Sequence, residues 1–209
     1  MTEDINQNLL DKIRRKKAII WDFDGVLCFC NWSYGEDFHR WWGRLWDLLE
    51  EFDPHIREKY KGKLKNTTDL AYPYEHTDYI AQKYGETSLQ KINAFYLKKE
   101  LLILPVSPIN TKIVEIIKNS HIVIEHYIWS NNQGIFIKKV LEKAGLLHAF
   151  KGIIARDMIQ LAKPNLDGFK VIQSLTSVPV VDFLFIGDSH KTDEVIANKL
   201  GMDFFYYKD

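Results

Sequence analysis

The chain has 209 residues, 46% of them apolar and 27% charged, and its 28 Lys and Arg balance its 28 Asp and Glu. This is the make-up of a folded protein with a full hydrophobic core, and it excludes a collagen-like, a disordered or a strongly basic nucleic-acid-binding chain. Cys28 and Cys30 are too few for a disulfide framework or a four-ligand zinc site, and no segment reads as a signal peptide or a membrane span, so a cytoplasmic protein without membrane or nucleic-acid partners is expected.

In chain order, a polar helix is predicted over residues 3–15, with the cations of KIRRKK at 12–17 on a solvated face. The apolar run Ala18-Ile19-Ile20-Trp21 then reads as a buried strand ending in Asp22-Phe23-Asp24-Gly25. From 28 to 104 the pattern is helix after helix. Phe38, Trp41, Trp42, Leu45, Trp46 and Leu49 form the stripe of an amphipathic helix, and further helices are predicted over 76–84 and 87–101, the last with Thr87 and Gln90 at capping-box spacing.

Pro105 and Pro108 mark a return to alternating elements. Strands are predicted at 122–129, 152–155, 181–186 and 204–207, and helices at 110–118, 133–144, 165–175 and 192–200. The expected fold is α/β, a Rossmann-like, mostly parallel five-stranded sheet flanked by helices. A helical cap at 28–104 interrupts a core made of 1–27 and 105–209.

In an open parallel sheet, ligands bind outside the carboxyl ends of the strands. The polar residues that end three of the runs are therefore candidates for one site: Asp22 and Asp24, Ser130 and Asn131, Asp188 and Asp193. Each group alone is more simply read as a turn or a helix cap. Together, DFDGVL at 22–27, SNN at 130–132, Lys163 in KPNLDGF and GDSHKTD at 187–193 resemble the four motifs of the haloacid-dehalogenase-like (HAD) superfamily, in order and on the expected strand ends. The resemblance is to its phosphatases with a helical cap inserted after the first motif, and it covers the α/β part and the position of the cap.

The resemblance implies a Mg²⁺-dependent phosphatase that acts on a small phosphorylated metabolite through a phospho-aspartyl intermediate. Asp22 is the expected nucleophile, ionised at neutral pH if its pKa is the ordinary value near ~4. Asp24 is the expected acid and base for leaving group and water. The family implies a Mg²⁺ held by Asp22, the main-chain carbonyl of Asp24 and Asp188, with Lys163 as a second cation and Ser130, Asn131 and Lys163 binding phosphate. Asp193 is expected to order Lys163 or metal-bound water rather than to ligate directly. Four carboxylates against one ammonium leave a local excess of negative charge that calls for a divalent cation.

Dehalogenases lack the second aspartate of the first motif, so Asp24 points to phosphate chemistry. The alternatives are a phosphohexomutase of the β-phosphoglucomutase type and a low-turnover binding or regulatory member of the fold. Many relatives continue the first motif as DFDGVLVDS, where this chain has Cys28, Phe29 and Cys30. Four of the six tryptophans lie between Trp32 and Trp46. Core periodicity predicts that most of them pack the cap helices together, with Trp32, off the stripe and near the hinge, as the exception. His39, Arg40 and Arg44 read as solvated or ion-paired, and His126 and His190 as structural or incidental.

Overall fold

Parallel strands buried on both faces read as near-continuous apolar runs, and β1 (Ala18–Trp21) is such a strand, buried at all four positions. In the computed structural model, which describes residues 2–61, 63 and 70–208, β1 is the middle of a five-stranded sheet. The other strands are β2 (Glu125–Trp129), β3 (Gly152–Ile154), β4 (Phe183–Gly187) and β5 (Asp203–Tyr206), in the order β3-β2-β1-β4-β5. All pairs are parallel. Because Trp21 is in register with Ile128 and Ile186, the residues that follow β1, β2 and β4 emerge side by side at one edge. The strand order reverses at β1, where such sheets open a crevice.

Alternation along the strands gives the sheet two cores. Ile19, Trp21, Ile128, Leu184 and Ile186 pack with α1 (Thr2–Ile13), α6 (Thr111–Ser120) and α7 (Gly134–Lys143). Ala18, Ile20, Tyr127, Trp129 and Phe185 pack with α8 (Asp167–Ser174) and α9 (Asp193–Leu200). Between β1 and α6 lie α2 (Phe38–Glu50), the single turn α3 (Ile56–Lys59), α4 (Glu75–Tyr84) and α5 (Glu86–Ile103). These helices enclose a third core of Trp41, Trp42, Leu45, Trp46, Ile80, Ile92 and others. Asp37 caps α2 by accepting hydrogen bonds from the amides of His39 and Arg40.

The elements depart from expectation at several ends. β2 starts at Glu125 rather than 122, because α6 runs on to Ser120 and the chain needs a turn to re-enter the sheet; Ile122 and Val123 are 85% and 80% exposed in that turn. A 3-10 turn at Val180–Asp182 delays β4 to Phe183. The capping box of Thr87 and Gln90 does not form, since Gly85, at φ +75°, ends α4 and starts α5 two residues earlier, and Gln90 donates to Glu86 instead. Nor is KIRRKK a wholly solvated face: Lys12 donates to the Phe204 carbonyl and Lys16 to that of Val181, tying α1 to the start of β4 and β5.

His126 is structural, as expected. An indole nitrogen only donates, so Trp21 Nε1 at 2.8 Å makes His126 Nδ1 an acceptor, and Nε2 carries the proton donated to Ser120 Oγ at 3.0 Å. Burial, with a smaller contribution from His121, lowers its pKa to about 4 and keeps it neutral.

Candidate active site

β1 delivers Asp22 to the carboxyl edge of the sheet, where its amide still bonds the Ile186 carbonyl at 2.9 Å. Asp22 Oδ1 accepts from the Phe23 amide at 2.7 Å and from Lys163 Nζ at 2.8 Å. The loop then turns through Gly25, at φ +79°, where a β-carbon would overlap the Asp188 carboxylate. Val26, Leu27 and Cys28 are buried beneath that loop. Cys28 and the half-buried Cys30 are free thiols.

Asp24 reaches away from Asp22. Its Oδ2 accepts from Trp32 Nε1 at 2.6 Å and its Oδ1 from the Cys30 amide at 3.1 Å. The polar positions that this loop lacks at 28–30 are thus offset by a main-chain amide and by an indole. Burial raises the Asp24 pKa against the lowering effect of those donors.

After β2, Ser130 Oγ donates to Asn132 Oδ1 at 2.8 Å, and Asn132 Nδ2 donates to Glu100 Oε1 at 3.1 Å. Both Glu100 oxygens also accept from the Gln133 amide. Glu100, on α5, is fully buried, and burial raises its pKa to about 8 despite these donors. Asn131 uses its side-chain oxygen to hold the Lys163 amide at 2.9 Å.

Lys163, 2% exposed, projects its ammonium between Asp22 Oδ1 and Asp193 Oδ1, the latter at 2.6 Å. Burial opposes its charge, but Asp193 and Asp22 outweigh burial and raise its pKa above the ordinary lysine value. Asp193, the first residue of α9, also accepts from the Ser189 amide at 3.3 Å and packs against Gly187, where a β-carbon would overlap it.

The ordinary pKa expected for Asp22 is not what the site gives it. Burial first, then the Asp193 charge, raises it well above the usual carboxylate range, and Lys163 only partly opposes them. Burial and Asp193 raise Asp188 to about 6. Carboxylates forced together in this way suit a cation: ligand oxygens of Asp22, Asp188 and Asp193 lie within 4.8 Å of one another. The Asp24 carboxylate is not in this group, so only its main-chain oxygen is left for the expected ligation. Asp193 stands inside the group, closer to a ligand position than the sequence implied.

A cavity of about 280 Å³ opens over these residues. One wall carries Asp22, Asp24, Ser130, Asn131, Lys163 and Asp188, which brings together every residue expected in the site except Asp193 behind it. The other wall carries Trp32, Phe38, Trp41, Trp42, Tyr74 and Tyr96. Trp41 and Trp42 thus belong both to the helical core and to the cavity, more than core periodicity suggested. His39, Arg40 and Arg44 are not among the lining residues, and Arg44 pairs with Glu36.

Buried polar links that the sequence did not disclose join the helical segment to the sheet side. Glu100 holds the 132–133 loop, and Asp78 on α4 pairs with Arg156 at 2.9 Å, both side chains 1% exposed. Asp78 also accepts from the Ala162 amide, next to Lys163.

The family model of haloacid dehalogenase-like hydrolases matches residues 16–201. Comparison with curated protein sequences finds no significant match. Among solved structures, a HAD-superfamily hydrolase of subfamily IA from Geobacter sulfurreducens is similar at 17% identity and TM-score 0.56, over 92% of this chain and 89% of that one. A HAD hydrolase from Bacillus subtilis, in a crystal structure with bound magnesium that reveals interdomain movement, is similar at 19% identity and TM-score 0.53, over 92% and 86%. A predicted phosphoglycolate phosphatase from Haemophilus somnus is similar at 15% identity and TM-score 0.52, over 91% and 84%. Identities this low carry the fold alone. With the family match spanning all four motifs and the sheet bringing them to one edge, the chain belongs to the haloacid dehalogenase-like hydrolases.

Proposed function

We propose that the protein is a Mg²⁺-dependent phosphomonoesterase that hydrolyses a small phosphorylated metabolite through a phospho-aspartyl intermediate on Asp22. The observation that carries this reading is the Lys163 ammonium held between Asp22 and Asp193 at the floor of the cavity, with the Asp24 carboxyl group on the same wall. Residues 1–27 and 105–209 act as the catalytic core, and 28–104 as a cap that excludes water during transfer. The magnesium and the interdomain movement of the Bacillus subtilis relative favour this reading. The two free thiols accord with a reducing, cytoplasmic setting.

Asp22 attacks phosphorus, forming one P–O bond while the ester P–O bond breaks, and Asp24 gives its proton to the departing alkoxide. Burial favours the protonated Asp24 needed at that point. Asp24, now a carboxylate, takes a proton from water, whose oxygen attacks phosphorus; the bond to Asp22 breaks and inorganic phosphate leaves. Lys163 offsets the charge of nucleophile and phosphoryl oxygens throughout, and Ser130 and Asn131 orient the phosphoryl group. A Mg²⁺ held by Asp22, the Asp24 main-chain carbonyl and Asp188 would supply the positive charge that lets an anionic carboxylate meet an anionic phosphate.

Asp24 sets this chemistry apart from dehalogenation. In an assay with p-nitrophenyl phosphate and Mg²⁺, EDTA and Asp22→Asn should each abolish phosphate release. Undiminished release by Asp22→Asn would overturn the nucleophile assignment.

A further inference from the structure

The wall facing the carboxylates has a composition of its own. Its six aromatic rings come from four separate stretches of chain: Trp32 from the segment after β1, Phe38, Trp41 and Trp42 from α2, Tyr74 from the start of α4 and Tyr96 from α5. They brace one another. Trp41 packs edge-on against Tyr96 at 5.3 Å and lies 5.7 Å from Trp32, and Tyr74 lies 5.2 Å from Tyr96. Trp32, Phe38 and Tyr74 are nevertheless only partly buried, so part of this apolar surface is left open to the cavity rather than used up in the helical core.

Charge is distributed just as unevenly. Among the described residues, Lys163 is the only cation that lines the cavity, and it is already engaged by Asp22 on the catalytic wall and by Asp193 behind it. Among the described cations of the helical segment, Arg57 is engaged with Glu50, Lys83 with Asp53, and Lys99 with the Tyr34 carbonyl. A carboxylate or second phosphate on the leaving alcohol would therefore be desolvated against rings, with no cation to meet it and with Asp24 nearby. Trp32 is itself committed to Asp24 through its one donor, so the polar groups that these rings offer a polyol are few, chiefly the Tyr74 and Tyr96 hydroxyls. A volume of about 280 Å³ leaves room for the phosphate and a compact body beside it.

Resting on the phosphatase reading, we propose that the substrate class is the phosphate monoester of a compact, uncharged alcohol with an aromatic or apolar body, which packs against the rings of the cap. Esters bearing a second anion, such as phosphoglycolate, and polyhydroxylated esters, such as hexose phosphates, are the poorer substrates of the same wall.

The experiment compares benzyl phosphate, phosphoglycolate and glucose 6-phosphate with the full chain in Mg²⁺. All three are esters of primary alcohols, so differences in kcat/KM report the wall more than the leaving group. The expected result is at least about tenfold higher kcat/KM for benzyl phosphate than for either other ester, and a rise in its KM in Phe38→Ala and in Tyr74→Ala. Values for phosphoglycolate or glucose 6-phosphate equal to or above that for benzyl phosphate would overturn the substrate class and leave the phosphatase reading standing. If benzyl phosphate is preferred but its KM is the same in both variants, the assignment of selectivity to the rings is overturned. No phosphate release from any of the esters, or from p-nitrophenyl phosphate, would overturn the phosphatase reading itself and the substrate class with it.

Discussion

The two walls of the cavity are built on opposite rules. On the sheet side, charged groups are held where burial disfavours them, and each is held by another: Lys163 by Asp22 and Asp193, Asp193 by Ser189, Asp24 by Trp32 and Cys30. On the helical side, rings hold rings, and the charged groups point elsewhere. The first arrangement concentrates electrostatic work at one strand edge, where on the proposed reading it would bear on a phosphoryl group. The second supplies shape and apolar contact, which on the same reading would discriminate among leaving groups. Only a few side chains cross between the two regions, and these are the most informative to change.

The largest effect is expected on the charged wall. Lys163→Met would leave Asp22 and Asp193 facing each other without a cation, and phosphate release should fall by about 10³-fold or more. The same change should cost about 3–5 kcal/mol in a urea melt, because it strands buried carboxylates. Retention of most activity would show that the wall does not work through its charges.

Next come the crossing residues. Asp78→Ala would leave Arg156 buried and unpaired, and a loss of about 3–5 kcal/mol by denaturant titration is expected although Asp78 is not among the cavity-lining residues. Trp32→Phe keeps a ring in the wall but removes the 2.6 Å hydrogen bond to Asp24. A fall in kcat of about tenfold with little change in KM is expected. A change confined to KM would mean that Trp32 belongs to the wall of rings alone.

The smallest effect lies inside the helical core. His76 sits among Trp42, Trp46 and Tyr60, with neither ring nitrogen hydrogen-bonded. Burial lowers its pKa to about 3 from the usual 6.5, so the native state keeps it neutral while the unfolded chain takes up a proton. That contribution to stability is complete above about pH 6.5 and is lost as the pH falls from there through about 3. His76→Phe should flatten this acid limb, and at neutral pH it should stabilise by about 1 kcal/mol, since an apolar ring leaves no polar atom unpaired. Urea melts at pH 4 and pH 7 measure both.

The carboxylates of the charged wall were readable in the sequence because they follow apolar runs, whereas Lys163 was readable only as part of a family motif. Ala18-Ile19-Ile20-Trp21 before Asp22, and the strand before Gly187-Asp188, announce a buried strand that stops at a polar loop, and parallel strands place such stops together. The pKa of Asp22 was not readable, since it depends on how deeply Asp193 and Lys163 converge on it. The crossing pairs were hidden for a related reason. Glu100 lies 32 residues from Asn132, and Asp78 lies 78 from Arg156, separations that no helical or strand period encodes. Trp32 left a trace as the tryptophan off the α2 stripe, though its hydrogen bond to Asp24 depends on a loop path that periodicity cannot give. The α2 stripe itself was legible, but a stripe says that rings are buried, not that one side of the cluster borders a cavity.

The central claim is that Asp22 on the charged wall takes the phosphoryl group while the rings only choose what carried it. Acid quenching of the enzyme during turnover, followed by peptide mass spectrometry, tests this most directly. A phosphate adduct on the peptide bearing Asp22, absent in Asp22→Asn, is the predicted result. Steady turnover with the adduct on another residue, or undiminished turnover by Asp22→Asn, would contradict it.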